Sequence, residues 1–193
     1  MKKRVFLVHG WEGAPEKGWF PWLRQQLIKN GFEVHAPALP NTSEPRIKTW
    51  VPALAKAVGT ADGQTYFVGH SMGCQTISRY LASLPDGVQV GGAVFVAGFF
   101  KKLTNLEDDP LVRDVAKEWL ETPLDLKKVK SHLPKSVGIF SDNDPYVPLD
   151  NQDDYRDQLG STIFVEHQKH HFSGDEGTMD LPAALEAVLS LAE

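Results

Sequence analysis

Cysteine is almost absent from this sequence: Cys74 is the only one among 193 residues. No disulfide can therefore form within the chain. A chain of this length can bury a sizeable hydrophobic core without disulfides or a structural metal ion. A lone cysteine is also typical of proteins that work in a reducing compartment.

Long hydrophobic runs are absent as well. The basic start Met1-Lys2-Lys3-Arg4 is followed by the apolar run Val5–Val8 and then by His9-Gly10. This run is too short for the core of a signal peptide and far too short to span a bilayer. We interpret the basic start as a solvated lead-in to a buried strand, and we expect a cytoplasmic protein.

Basic residues are too few for a protein whose main task is nucleic-acid binding. Lysine and arginine number 20, aspartate and glutamate number 25, and the formal net charge is −5. A surface that follows a phosphate backbone needs clustered positive charge, so we expect no nucleic-acid partner. No glycine-rich phosphate loop or dinucleotide fingerprint follows a predicted strand, so we also expect no cofactor.

The remaining composition is that of an ordinary folded protein. Hydrophobic residues make up 41% of the chain and charged residues 23%, which argues against intrinsic disorder. The sequence shows no internal repeat, low-complexity tract or long linker. We therefore expect one domain that spans residues 1–193.

Short apolar runs alternate with stripes of apolar residues at helical spacing. The runs that predict strands are Val5–Val8, Phe32–His35, Tyr66–Val68, Ala93–Ala97, Val137–Phe140 and Thr162–Val165. Such runs are typical of parallel strands covered on both faces. The helical stripes lie within 19–27, 47–58, 77–84 and 181–189, and Pro52 in the second argues against a straight helix there.

This alternation predicts an α/β protein with a doubly wound, mostly parallel sheet of about six strands and helices on both faces. Ligands bind such sheets at the carboxyl ends of the strands. Residues that directly follow each predicted strand are therefore the candidates for chemistry.

The third predicted strand leads into Gly69-His70-Ser71-Met72-Gly73, which matches the G-x-S-x-G pattern. The two glycines let strand and helix approach closely, so the serine is held in a strained turn with its oxygen exposed. This arrangement is the nucleophile elbow of the α/β-hydrolase fold. The alternative is a glycine-rich strand–helix turn whose serine has no catalytic role.

A serine hydroxyl needs a base to act as a nucleophile, and this fold supplies the partners in the order Ser, acid, His. The next strand end offers Asp142 or Asp144 as the acid, and the last strand is followed by His170 and His171 as candidate bases. His167, His170 and His171 could also share a helical face around zinc. No H-E-x-x-H pattern or nearby cysteine supports that alternative, and we expect no metal.

Backbone N–H groups must stabilise the oxyanion that forms during acyl transfer. Met72 directly follows the nucleophile, and the loop after the first strand offers Trp11 behind a permissive Gly10. Cys74 lies about one helical turn beyond Ser71 and could compete as a nucleophile, but it has no elbow glycines around it. A small buried residue is the simpler interpretation of Cys74.

Several of these segments together resemble a known family. They are Val8-His9-Gly10-Trp11, Trp19-Phe20-Pro21-Trp22-Leu23, the elbow, Asp144-Pro145-Tyr146-Val147-Pro148 and His171-Phe172. The chain is similar over essentially its whole length to the small α/β-hydrolases that include the YdeN-like and retinoblastoma-binding-protein-nine-like serine hydrolases. The resemblance implies a single domain without a large cap, a D-P-x-x-P acid at Asp144 and a base at His171.

The same resemblance implies hydrolysis of esters or amides on small substrates. The L-x-C-x-E motif that would imply a retinoblastoma-type protein partner is absent around Cys74, so no protein partner is carried over. We therefore expect a hydrolase of small carboxylic esters or amides, with an aminopeptidase-type or amidase-type serine hydrolase and a non-catalytic binding protein as alternatives. An amine substrate would need an acidic anchor, for which Glu12 and Asp142 are candidates.

The substrate pocket is predicted from position in the chain. Phe99 and Phe100 follow a strand end, as Ser71 does, and we expect them to border the substrate together with Trp11. The segment Leu103–Leu120 forms either a small helical lid or an inserted helix that packs on the surface.

Overall fold

The computed structural model describes residues 2–193 and shows one six-stranded sheet in which every neighbouring pair is parallel. Its strands are β1 (Arg4–Val8), β2 (Glu33–His35), β3 (Thr65–His70), β4 (Gly92–Val96), β5 (Ser136–Ser141) and β6 (Thr162–Glu166). Their order across the sheet is β2-β1-β3-β4-β5-β6. The predicted parallel α/β sheet is confirmed.

Seven helices occur within residues 2–193: α1 (Phe20–Lys29), α2 (Ile47–Val58), α3 (Met72–Ala82), α4 (Pro110–Glu121), α5 (Leu126–His132), α6 (Gln152–Asp154) and α7 (Pro182–Leu191). A 3₁₀ turn at Leu149–Asn151 and a π-helical turn at Tyr155–Leu159 flank α6. None of the helices in this part of the chain is long and apolar enough to cross a membrane.

The alternation of side chains along the strands builds two separate cores. In β1, Phe6 and Val8 pack with the buried residues of α2 and α3, whereas Val5 and Leu7 pack with those of α1 and α7. All four side chains are at most 1% exposed. Successive side chains point to opposite faces of a strand, so a continuous apolar run supplies both cores at once.

Pro52 does not break α2, which continues to Val58. Trp50, Leu54 and Val58 are buried on one face of this helix, while Pro52 is exposed. The carbonyl that loses its hydrogen-bond donor at the proline therefore faces water, and the buried face holds the helix together. The helix predicted for this segment is therefore present in spite of Pro52.

Helix α4 falls inside the segment that could be a lid, and its second half is packed against α2. Trp119 is fully buried, meets Trp50 edge to face, and donates its indole N–H to the Pro45 carbonyl at 2.9 Å. Glu118 accepts a hydrogen bond from the Ile47 N–H and pairs with Arg46. This half of the segment is an inserted helix packed on the core.

The last strand departs from the expected two-sided coverage. In β6, Phe164 is 51% exposed and Val165 is 48% exposed, although adjacent residues of a strand point to opposite faces. The prediction that every strand is covered on both faces is therefore wrong for β6, because this strand is the outermost one and both of these side chains remain about half exposed.

Candidate active site

Ser71 occupies the turn between β3 and α3 with φ of 52° and ψ of −119°. Positive φ is strained for any residue other than glycine. Two glycines make the turn possible: a Cβ on Gly69 would lie 2.9 Å from the Cys74 nitrogen, and a Cβ on Gly73 would lie 2.1 Å from the Val8 carbonyl oxygen. The structure therefore has, at Ser71, the strained strand–helix turn that the G-x-S-x-G pattern predicts.

His171 lies between Ser71 and Asp144. Its Nε2 is 2.9 Å from the Ser71 Oγ, and its Nδ1 is 2.8 Å from the Asp144 Oδ2. The imidazole is 14% exposed and the carboxylate 2% exposed. The three side chains thus form one continuous hydrogen-bonded line that runs from a buried acid to a serine hydroxyl at the surface.

The Asp144 carboxylate is fixed by its own loop. Its Oδ1 accepts hydrogen bonds from the backbone N–H groups of Tyr146 at 2.9 Å and Val147 at 3.0 Å. Such an Asx turn is typical of Asp followed by a sharp change of chain direction. Because Oδ1 is engaged, Oδ2 is the oxygen that faces the imidazole.

His70 anchors the loop that carries His171, a role that the sequence did not predict. The His70 Nε2–H donates to the His171 carbonyl at 2.7 Å, and the indole of Trp19 donates to the Phe172 carbonyl at 3.0 Å. Burial, and then the neighbouring His171 imidazole, lower the pKa of His70 to about 3. His70 is therefore neutral and keeps one ring nitrogen protonated for this bond. The only feature of the sequence that pointed to His70 was its position inside the G-x-S-x-G motif, next to the nucleophile.

The same loop is held from its outer side by Glu176. One carboxylate oxygen of Glu176 accepts hydrogen bonds from the backbone N–H groups of His171 at 2.9 Å and Ser173 at 3.1 Å. The loop is thus fixed on both sides of the imidazole, which limits the rotation of His171 about its backbone.

The alternative acid and base are engaged elsewhere. Asp142 accepts hydrogen bonds from His167 Nδ1 at 2.6 Å and from the Gln168 N–H at 2.9 Å. His170 has a φ of 47° and contacts Asn143 through its ring and its backbone N–H. Neither pair reaches Ser71. Within residues 2–193, no group of three His, Cys, Asp or Glu side chains is arranged to hold a metal ion.

The loop after β1 lies directly against the nucleophile. A Cβ on Gly10 would be 3.0 Å from the Ser71 Cβ, so any larger residue would have to push the loop away from the nucleophile. The neutral His9 side chain fixes the loop, because its Nδ1–H donates to Gly10 O and its Nε2 accepts from the Leu39 N–H. The backbone N–H groups of Trp11 and Met72 have no acceptor within residues 2–193, so both remain free to bind an oxyanion.

The sulfur of Cys74 lies beneath the elbow and cannot compete with Ser71. Cys74 is fully buried, and its thiol contacts the Val96 carbonyl at 3.4 Å. Burial raises the pKa of this thiol. A thiol that stays protonated and out of reach of solvent is a poor nucleophile.

The predicted pocket residues occupy different environments. Phe99 is 1% exposed and belongs to the core. Phe100 is half-buried and stacks on Tyr155 with ring centroids 4.4 Å apart. The first part of the 103–120 segment contacts the acid loop, since Thr104 N–H donates to the Tyr146 carbonyl and Asn105 donates to the Pro145 carbonyl. A role for either phenylalanine in substrate binding stays a prediction.

Tyr146 is an aromatic side chain at the site that sequence reasoning did not single out. Its ring is 41% exposed and meets the His171 ring edge to face at 5.3 Å. The surface has one cleft of about 390 Å³ at the amino ends of the strands, and one of about 230 Å³ along residues 168–180. Neither is lined by Ser71 or His171, so neither of these two clefts includes the nucleophile or the base.

A parallel sheet with a strained serine after its third strand, an acid after its fifth and a histidine after its sixth defines an α/β-hydrolase. The model of the serine hydrolase family matches residues 5–190. The chain belongs to the serine hydrolase family.

Individual relatives agree with this assignment. The chain is 30% identical over 190 residues to YdeN of Bacillus subtilis (strain 168), which carries the name of a hydrolase, and the match covers 98% of this chain and 96% of that protein. The serine hydrolase RBBP9 of Rattus norvegicus is 25% identical over 160 residues, covering 82% and 80% of the two chains.

Solved structures extend the comparison to the fold. The crystal structure of the B. subtilis ydeN gene product superposes with a TM-score of 0.89 at 29% identity, covering 98% of each chain. A carboxylesterase structure from the thaumarchaeon Nitrososphaera gargenis superposes with a TM-score of 0.76 at 14% identity, covering 99% of this chain and 91% of that one. At that identity the second match describes the fold alone.

Replacing Gly73 with alanine should strongly destabilise the protein. The added Cβ would lie 2.1 Å from the Val8 carbonyl oxygen, so β1 and α3 would have to separate, at a cost of about 3 kcal/mol or more. Urea unfolding would measure the change. Gly63→Ala is the matched control, because a Cβ there meets no atom within 4 Å; equal stability of the two variants would contradict the close approach.

Replacing His70 with glutamine should reduce the loss of stability in acid. The folded pKa of His70 is about 3, and an unfolded histidine titrates near 6.5. Above pH 6.5 both the folded and the unfolded chain carry a neutral His70, and its contribution to stability is fully present. As the pH falls toward 3, the unfolded chain binds a proton that the folded chain does not, so stability falls by at most about 1.4 kcal/mol per pH unit.

The measurement is urea unfolding of wild type and His70→Gln at about pH 7.5 and about pH 5, between which the carboxylates titrate alike in both proteins. The free energy of unfolding should fall less in the variant. A decline of the same size in both proteins would show that His70 is not held neutral in the folded state.

Proposed function

We propose that this protein hydrolyses small carboxylic esters through an acyl-enzyme on Ser71. The observation that carries the proposal is the unbroken line from the buried Asp144 carboxylate through His171 to the Ser71 hydroxyl. This is the geometry that converts a weak hydroxyl nucleophile into an effective one. Membership of the serine hydrolase family supports the same reaction class.

In the first half-reaction, Ser71 Oγ attacks the carbonyl carbon while His171 Nε2 takes the hydroxyl proton. Asp144 Oδ2 accepts the Nδ1–H bond of His171, which keeps Nε2 free as the proton acceptor and stabilises the imidazolium that forms. His171 then donates the proton to the leaving alcohol as the ester bond breaks. Water, activated by the same imidazole, hydrolyses the acyl-enzyme and regenerates the Ser71 hydroxyl.

The negative charge on the carbonyl oxygen would be stabilised by the backbone N–H groups of Met72 and Trp11. Each such donor contributes about 3 kcal/mol when it is already oriented in the resting enzyme. The N-terminus of α3 adds a favourable dipole, since Met72 is the first residue of that helix. The fixed position of His9 and Gly10 orients the Trp11 donor before substrate binds.

An ester substrate is favoured over an amine-bearing amide. An aminopeptidase needs a free carboxylate to bind the substrate amine, and one candidate, Asp142, is already bound to His167 and to the Gln168 N–H. Tyr146, whose ring meets the His171 ring edge to face, would contact the substrate. The cytoplasmic location expected from the sequence stays a prediction.

Ser71→Ala should abolish hydrolysis of a small chromogenic ester, with a loss on the order of 10⁵- to 10⁶-fold in kcat. The variant should keep its fold, because a smaller side chain in the same turn removes only the hydroxyl. A fluorophosphonate probe should label the wild type at Ser71, as mapped by peptide analysis, and should not label the variant. A well-folded wild type that resists the probe would favour a non-catalytic binding protein.

Asp144→Asn should lower kcat by about 10⁴-fold, because an amide at this position stabilises the wrong imidazole tautomer. Asp142→Asn is the matched control. Asp142 follows β5, as Asp144 does, and it also binds a histidine, but that histidine, His167, does not reach Ser71. Steady-state kinetics on both variants measure the difference. Comparable losses in the two variants would remove Asp144 from the proposed triad.

A further inference from the structure

The loop that carries the acid, residues 144–148, contains two prolines. Pro145 and Pro148 have no N–H group to donate. The two N–H groups between them bind the Asp144 carboxylate of the same loop. The backbone of this acid loop must therefore be held in place through its carbonyl groups.

The donors come from the segment that follows β4, residues 97–105. Thr104 of this connecting segment donates its N–H to the Tyr146 carbonyl at 2.9 Å. The segment begins directly after Val96, whose carbonyl accepts the Ser71 N–H at 2.8 Å. One stretch of chain thus starts at the nucleophile and ends at the acid loop, and its shape sets the distance between them.

Asn151 joins the middle of the connecting segment to the acid loop. Its Oδ1 accepts the N–H groups of Phe100 at 3.3 Å and Lys101 at 3.4 Å. Its Nδ2 donates to the carbonyls of Lys102 and Pro148, each at 3.0 Å. A side-chain amide offers two acceptor sites and two donors, so every hydrogen-bonding position of Asn151 is occupied.

The position of Asn151 is itself well fixed. The side chain is fully buried, and the backbone N–H also donates to the Pro148 carbonyl at 3.0 Å. The helical residues that follow are anchored by Tyr155, which is fully buried in the core. Asn151 is therefore a firm point to which two loops are attached.

The connecting segment has strained backbone at both ends. Ala97 has a φ of 48° and Asn105 a φ of 51°, a region that residues other than glycine seldom adopt. Such conformations persist only where the surrounding contacts determine them. The hydrogen bonds of Asn151 lie between these two residues, so they are among the contacts that keep the segment in this shape.

We propose that Asn151 is a positioning residue that sets the distance from the acid loop to the nucleophile. Because Asn151 is closed to solvent, it acts through Asp144 and not by contact with a substrate. The Asp144 carboxylate lies 2.8 Å from the His171 Nδ1, and a displacement of about 1 Å can lower a rate about 100-fold. This inference rests on the proposed ester hydrolysis at Ser71.

The test is the kinetics of Asn151→Asp, alone and combined with Asp144→Asn. A carboxylate keeps an acceptor for the Phe100 N–H but removes both donors, so the Pro148 carbonyl loses its side-chain partner. We expect kcat to fall by about 10- to 100-fold, with KM little changed. In the Asp144→Asn background the same substitution should have little further effect, because changes that act through one group are not additive.

Three further variants separate positioning from a loss of stability. Val58→Ala removes buried methyl groups at the carboxyl end of α2 and should lower stability without lowering kcat. Asn30→Asp removes an amide donor to the Gln26 carbonyl at the end of α1 and should change neither. Asn151→Leu introduces no buried charge, so it replaces Asn151→Asp if that variant does not fold, and it should also lower kcat.

The proposal is overturned if folded Asn151→Asp keeps its kcat, or if the loss is equally large with and without Asp144→Asn. It is also overturned if Val58→Ala loses as much kcat, or if neither Asn151 variant folds, since the role of Asn151 is then only structural.

A wild type that neither hydrolyses esters nor reacts with a fluorophosphonate would refute the proposed function. The positioning role is then decided by the downfield proton NMR resonance of the His171 Nδ1–H, which reports the hydrogen bond to Asp144 without turnover. A resonance that shifts or disappears in folded Asn151→Asp supports the role, whereas an unchanged spectrum overturns it.

Discussion

The steric contact between α3 and the end of β1 is the constraint on which the site depends. Gly73 approaches the Val8 carbonyl so closely that no side chain fits between them, and this approach forces Ser71 into positive φ. The strain is stable only because the strand and the helix are both anchored in buried cores. The same approach brings the loop at Gly10 against the serine, so one packing contact positions both the nucleophile and the candidate oxyanion donors.

The histidine loop is positioned by a different means. It follows the outermost strand, which offers little packing, and it is instead tied down by hydrogen bonds from His70, Trp19 and Glu176. His70 directly precedes the nucleophile and binds the His171 carbonyl. The position of the base is therefore fixed relative to Ser71 and not relative to the edge of the sheet. Small movements of β6 therefore need not alter the distance between His171 and Ser71.

Much of this arrangement follows from sequence pattern, and the remainder depends on local backbone geometry. Apolar runs located all the strands, and G-x-S-x-G located Ser71, because both signals are local. The sequence pattern could not show that the side chains of β6 stay half exposed at the edge of the sheet. It also did not reveal the short helix α5, whose apolar residues are separated by lysines. The order of residues alone could not decide whether Asp142 or Asp144 is the acid, or whether His170 or His171 is the base. The Asx turn at Asp144 and the positive φ at His170 separate them, and only the resemblance to a family had anticipated the pair.

The buried Cys74 gives this molecule an internal probe of local opening. Its thiol lies under the first turn of α3, closed to solvent and held protonated by burial. A thiol reagent can react only when that turn separates from β4, so the reaction rate reports how often the elbow opens. Since this is the only thiol in the chain, the signal arises from one place. The flexibility of the strained turn can thus be measured without adding a label to it.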